Sequence, residues 1–276
     1  MKRRAATTVL VSLMITITSA VADAPAHGAP VYGSAGDVSH AVRALERQLV
    51  EHRGVTVSDR WTRGYVGDDI HYVYLYKKLV EFGKGKVVAT DTRYRGGNKH
   101  AGNGAFRYLT FPGRHYMQDK NQRLPEGKRW VLEEGKEFVP TANGPIRVTE
   151  PAVLRAVLAK AKVKRPAGVY DGTRTTLYEG TITFGELYAA SPRNNGGKPT
   201  AKDAKREVSW RIWVGSDQLT RRVWSSYRSR SLPSGVSELL ETHVMDTLFT
   251  GWGAKTDITP PPDDQVIRAE DLDGEE

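Results

Sequence analysis

The chain has 276 residues, no cysteine and a formal net charge of +9. That length allows one large domain or two small ones, and the missing thiols exclude disulfides, thiolate metal sites, a cysteine nucleophile and lipid attachment at a leader cysteine. Residues 1–24 contribute +2 and residues 263–276 contribute −6, which leaves +13 on residues 25–262. A body this basic favours anionic wall polymers, phospholipid headgroups or acidic partners, against the plainer alternative of a solvated surface that binds nothing.

Lys2, Arg3 and Arg4 precede an uncharged run from Ala5 to Ala22, and Ala22-Asp23-Ala24 or Ala24-Pro25-Ala26 follows it. Charge, apolar stretch and small-residue site are the three parts of a secretory signal. A membrane-spanning helix needs about 20 strongly apolar residues, and Ser12, Thr16, Thr18 and Ser19 dilute a run that is already short. The expectation is a leader over 1–24, a product delivered to the cell envelope or beyond, and no transmembrane segment after cleavage. Export without disulfides fits a bacterial protein that relies on its core alone. Nucleic acid is then not an expected partner.

Residues 25–35, rich in Gly, Ala and Pro, read as a linker, and 36–262 as a single domain. Asp37 is a cap candidate for a helix whose Val38, Val42, Leu45 and Leu49 share one face. From Gly54 the texture becomes β-branched and aromatic, as strands require: Gly54–Val66 and Asp69–Phe82, then candidates near 86–95, 105–111, 115–118 and 129–132. Thr149 and Pro151 open a second helix with an apolar face of Val153, Leu154, Val157 and Leu158. Asp171-Gly172 between two strand-like runs predicts a hairpin. Residues 191–206 are polar and rich in breakers, so they read as an exposed loop. In residues 207–215, Val208, Trp210, Ile212 and Val214 fall on one strand face and Ser209, Arg211 and Trp213 on the other. Further strands follow to Trp252, and the acidic segment 263–276 reads as a disordered tail. Strands outnumber helices and do not alternate with them, so the reading is α+β, a large antiparallel sheet with about two helices.

Motifs for chemistry are missing. Gly97 and Gly102 have phosphate-loop spacing, but Asn103 stands where lysine should follow; Gly102-Asn103-Gly104 begins a dinucleotide pattern that Arg107 breaks. No G-x-S-x-G elbow occurs. His27, His40, His52, His71, His100, His115 and His243 are too scattered for a zinc motif. Asp68-Asp69 and Glu133-Glu134 are adjacent, so their side chains diverge on a strand. Neither cofactor nor metal is expected. Of the six tryptophans, Trp61, Trp130, Trp210, Trp213, Trp224 and Trp252, most are expected to be plain packing.

The order of elements, with Tyr170-Asp171-Gly172, Tyr178-Glu179-Gly180-Thr181, Val208–Val214, Phe249–Gly253 and Asp257–Pro261, resembles the actinobacterial envelope proteins related to the LppX/LprG lipoproteins, which share the LolA-like fold. The resemblance implies a curved, unclosed antiparallel sheet with helices covering its concave face and, between them, space for acyl chains or lipoproteins. It supplies no catalytic residues, and the absent leader cysteine departs from its lipid-anchored members. Strand alternation and helix faces then nominate Tyr72, Tyr74, Val157, Leu158, Trp210, Ile212 and Val244 as ligand-lining residues. The leading expectation is an exported, non-enzymatic binder of a lipid or other amphiphile. A second is an interaction or sensory module for an envelope protein, and a third, a hydrolase assembled from distant residues.

Overall fold

The computed structural model describes residues 34–67, 71–96, 104–136, 138–141, 144–192, 197–231 and 239–272. The leader over 1–24, the linker up to residue 33, Asp68-Asp69 and the glycine loop around Gly97 and Gly102 lie outside the described residues. Helix α1 (Ala35–Glu46) is followed by strands β1 (Arg53–Tyr65), β2 (His71–Gly83), β3 (Lys86–Gly96), β4 (Ala105–Phe111), β5 (Arg114–Asp119) and β6 (Trp130–Glu134). Helix α2 (Pro151–Leu158) leads to β7 (Ala161–Tyr170), β8 (Thr173–Thr183), α3 (Phe184–Ala190), α4 (Ala201–Ala204), β9 (Glu207–Gly215), β10 (Thr220–Ser231) and β11 (Leu239–Lys255). The chain closes with β12 (Val266–Arg268) and α5 (Ala269–Leu272).

All strands belong to one sheet, ordered β12-β6-β5-β4-β3-β2-β1-β11-β10-β9-β8-β7. Two meanders, β1–β6 and β7–β11, join side by side where β1 pairs with β11. Every pairing is antiparallel except β12 with β6, and β7 does not meet β12, so the sheet stays open. The architecture is a single unclosed, mostly antiparallel sheet with α1 and α2 on one face.

That inner face follows from side-chain alternation. On β9, Val208, Trp210, Ile212 and Val214 are buried while Ser209 and Arg211 are exposed. Register carries the same face across the sheet through Val223 on β10, Phe249 on β11, Val57 on β1 and Val80 on β2. Helices α1 and α2 cover it, and Val42, Leu45, Leu154, Val157, Leu158 and Trp210 form one packed cluster with these strands. Gly180 lies under the indole, where a Cβ would stand 2.6 Å from Trp210 Cζ2. The Asp171-Gly172 turn has φ of 49° and 69°, the left-handed pair that a type I′ hairpin needs.

Three local expectations are corrected. The cap of α1 is Ser34, and Asp37 sits three residues in, closing a reciprocal capping box with it. The cap of α2 is Glu150 rather than Thr149, and no side chain bonds there. Residues 191–206 are not simply loop, since Thr200 with Asp203 starts α4, and just before that stretch Thr183 with Glu186 starts α3, a helix for which the sequence reading had no element.

The acidic end is also ordered through Leu272. Thr256 N donates to His52 O and Ile258 N to Glu81 Oε2, at 3.0 and 2.6 Å. The segment then crosses the outer face of the sheet. Ile258 and Val266 pack on a second cluster of Leu109, Tyr116 and Trp130, and β12 zips onto β6. Apolar side chains on the outer face of β4–β6 need a cover, and this strap supplies it, which overrides the local polarity of the sequence. A Cβ at Gly54 would collide with Thr256 and with the carbonyl of Val80, so glycine is what lets the strap start so close to the sheet.

Candidate binding cavity

Beyond the packed cluster the inner face is not filled. A cavity of about 610 Å³ lies between the sheet and the α3–α4 region, open to solvent on one side. Trp61, Tyr76, Tyr227 and Met245 come from the sheet, Phe184 and Leu187 from α3, and Asp203 and Arg206 from α4 and the residues just after it. Pocket-sized cavities that hold organic ligands commonly run from about 300 to 1,000 Å³ and are mostly apolar with a few polar groups.

Register explains the lining. Trp61 pairs with Met245 and with Tyr74, and Ser225 pairs with Met245. One row further out, Arg63, His243 and Tyr227 stand side by side. Together with their neighbours these residues form a continuous file of rings. Phe184 meets Tyr227 edge-on at 5.1 Å, Tyr227 stacks on His243 at 4.6 Å, and His243 on Trp61 at 5.9 Å. The file continues through Tyr74, Tyr94, Phe106, Tyr108 and His115 to Phe138, with centroids 4.8 to 6.2 Å apart.

The polar groups in this region are held tightly. Asp59 and Lys78 form a buried ion pair at 3.8 Å, at the border between packed core and cavity, and Thr247 Oγ1 donates to Asp59 at 2.6 Å. Burial lowers the Lys78 ammonium to about 8 despite the pull of Asp59, and raises the Tyr76 phenol to about 12. Burial also holds His243 below its ordinary value, with Glu241 opposing and Arg63 and Arg206 adding to the shift. The His243 ring is therefore neutral at pH 7. Arg63 lies 5.4 to 5.9 Å from the rings of Trp61, Tyr72 and Tyr74 and donates to the Tyr74 hydroxyl. The indole N–H of Trp61, a cavity-lining side chain, has no hydrogen-bond partner among the described residues.

The residues nominated from sequence separate into three groups. Val157, Leu158, Trp210 and Ile212 are within the solid cluster, each at most 2% exposed, so the space around Val157 is filled and the hollow lies further along the sheet. Tyr74 is part of the ring file, and Tyr72 flanks Arg63; neither lines the cavity directly. Val244 is on the outer face, paired with Thr62 and Ser226, and its neighbour Met245 lines the cavity. A one-residue offset on a strand exchanges the two faces. Sequence reasoning missed Trp61, Tyr76, Tyr227 and Phe184 as lining groups. Trp130 and Trp210 are core residues, and Trp252 packs on Phe82 and Phe249. Trp213 and Trp224 stack with Arg222 and Arg211.

Two clusters bear on chemistry. Ser229 Oγ lies 2.7 Å and Glu241 Oε2 3.4 Å from the same nitrogen of His243, Nε2. Its Nδ1, where an orienting carboxylate belongs in a serine–histidine–acid relay, has no hydrogen-bond partner among the described residues. The arrangement holds the ring in place; it is not that relay. His52, contrary to the scattered picture from sequence, comes together with Glu81 and Asp257, their ligand atoms within 4.8 Å of one another. Glu81 is already engaged by the backbone of Ile258, so this group fastens the strap. Glu133 and Glu134 diverge as expected: Glu134 pairs with Arg268 at 3.1 Å, while Glu133 is opposite His115.

The fold and cavity define an open-sheet protein with an aromatic hollow under its helices. No family model matches the sequence, and no curated protein matches it. Among solved structures it is similar to LprF from Mycobacterium bovis, at 13% identity and a TM-score of 0.48, over 84% of this chain and 99% of that one. It is also similar to a LolA superfamily protein from Nitrosomonas europaea, at 10% identity and a TM-score of 0.27, over 82% and 95%. A DUF1329 family protein from Desulfovibrio piger matches at 12% identity and a TM-score of 0.27, over 79% and 92%. Among the described residues no helix is long and apolar enough to cross a membrane.

Proposed function

We propose that the protein binds an apolar or amphiphilic ligand, a lipid or acyl chain, in this cavity, and that it does so without covalent chemistry as an exported component of a bacterial envelope. The observation that carries the reading is the 610 Å³ hollow lined by Trp61, Tyr76, Phe184, Tyr227 and Met245, directly beside a region of the same sheet that is packed solid. Burying a methylene there is worth about 0.8 kcal/mol. Export rests on the leader-like N-terminus.

Native mass spectrometry of gently purified protein tests it. The expected spectrum shows adducts of lipid mass that are weaker in a Met245→Trp variant, whose larger side chain narrows the cavity. Wild-type protein that stays ligand-free, and that also fails to take up added amphiphiles, would rule out the carrier reading.

A further inference from the structure

A second hollow of about 430 Å³ adjoins the cavity, and Asp203 and Arg206 line both. It arises because β10 outruns its partner: the ladder with β9 ends at Ser226 and Ser209, so Arg228–Arg230 project beyond it and α4 lies alongside. The groove between them is lined by Lys202, Lys205, Arg206, Arg228 and Arg230, with Asp203 as the single acid among the described lining residues. Asp203 is committed within the protein, since it closes the cap of α4 with Thr200 and pairs with Arg206. Lys202, Lys205, Arg228 and Arg230 are exposed. Ser229, between the two arginines, points the other way and bonds His243.

Resting on the reading of the first cavity as an acyl-chain site, we infer that the ligand is an anionic amphiphile: its chain lies along Tyr227 and Met245, and a headgroup of the phosphate class is held in the groove between α4 and the β10 overhang. Arg206 is matched by Asp203, and Lys202, Lys205 and Arg228 remain in the groove as like charges that repel one another. An anion there removes the repulsion and gains charge-assisted hydrogen bonds from arginine, whose planar fork matches phosphate. The junction at Arg206 suits an amphiphile's own division, since this residue lines both hollows and its guanidinium lies 5.6 Å from the Phe184 ring of the apolar cavity.

Titration calorimetry on the full chain with three matched probes tests this: lauroyl lysophosphatidic acid, monolauroylglycerol, which lacks the phosphate, and glycerol phosphate, which lacks the chain. The phosphate-bearing lipid should bind at least about tenfold tighter than monolauroylglycerol at low salt. The gap should narrow as ionic strength shortens the Debye length from about 10 Å at 0.1 M toward about 3 Å at 1 M. Arg228→Gln/Arg230→Gln should close the gap while leaving monolauroylglycerol affinity unchanged. Lys202→Gln/Lys205→Gln, on the exposed α4, serves the same purpose if the strand variant does not fold. Equal binding of the two lipids overturns the anionic headgroup and leaves the cavity reading standing. Glycerol phosphate binding as tightly as the lipid overturns the link between groove and cavity, marking a free-phosphate site. If neither lipid binds, the cavity reading itself falls.

Discussion

Lys78 makes the stability of this protein rise with pH in a range where most proteins lose stability. Its ammonium and the Asp59 carboxylate are about 95% buried on the inner face, 3.8 Å apart, and desolvation outweighs their attraction, so Lys78 titrates at about 8 instead of 10.5. At about 1.4 kcal/mol per pH unit, holding that charge inside the fold rather than in the unfolded chain costs about 3 kcal/mol. Below pH 8 both states are protonated and the cost is constant. Between pH 8 and 10.5 the folded protein has released a proton that the unfolded chain keeps, so stability climbs by up to about 1.4 kcal/mol per pH unit. Tyr76 acts in the opposite sense above pH 10, where the unfolded chain ionises first and the folded phenol, raised to about 12, does not. Urea unfolding at constant slope, from about pH 7.5 to 10, therefore isolates the lysine. The midpoint should rise across that window in the wild type and stay level in Lys78→Met. A wild-type midpoint that is flat or falling, or a rise that persists in the variant, would refute a buried charged lysine as the source.

Acid should act through the histidines: His243 and His115 are both lowered chiefly by burial, so stability is lost as pH falls below about 6.5, and His243→Phe should remove part of that loss in the same unfolding assay. Leu158→Ala, deep in the solid cluster, is expected to cost about 2–5 kcal/mol and leave ligand affinity unchanged when measured well below its unfolding temperature. Met245→Trp should do the reverse, weakening binding at little cost in stability. Truncation after Pro262 removes β12 and uncovers Trp130, so hydrogen exchange should accelerate in β5 and β6 and leave β8–β10 protected.

The sheet was legible in the sequence because its signals are local. Alternation at Val208–Val214 fixes a face without reference to any neighbour, and Asp171-Gly172 fixes a turn by backbone sterics alone. The capping pairs Thr183–Glu186 and Thr200–Asp203 carry a signal of the same local kind, since a hydroxyl followed three residues later by a carboxylate is a helix-start signature, although the second sits in a stretch whose Gly, Asn and Pro read as loop. The cavity was harder to read. Whether Val157 fills space or borders it depends on what stands across from it, and that is set by the register of β9–β11 against α2. Trp61 and Tyr74 meet only because β1 and β2 pair with a specific stagger, and since Val244 and Met245 are both apolar the strand carries no alternation there to say which faces inward. The strap was hidden for a related reason: an acidic segment looks unstructured until Trp130 and Leu109 on the outer face need covering.

A hollow beside a solid core follows from the dimensions of the parts. Strands β1 and β2 have 13 residues each, about 43 Å at 3.3 Å per residue, and twelve strands about 4.8 Å apart span some 50 Å. Helices α1 and α2, with 12 and 8 residues, are about 18 and 12 Å long and about 10 Å wide. Two such helices cannot cover the inner face. Aliphatic side chains concentrate where they do cover it, at Val42, Leu45, Val157 and Leu158, while the uncovered remainder is faced with rings from Phe184 to Phe138. Aromatic side chains suit that position because their faces stack on one another along the sheet and still offer a flat apolar surface. The same shortage of helix that leaves the inner face uncovered therefore makes the proposed binding surface, and lengthening α3 toward the ring file would be expected to stabilise the ligand-free fold while blocking the ligand.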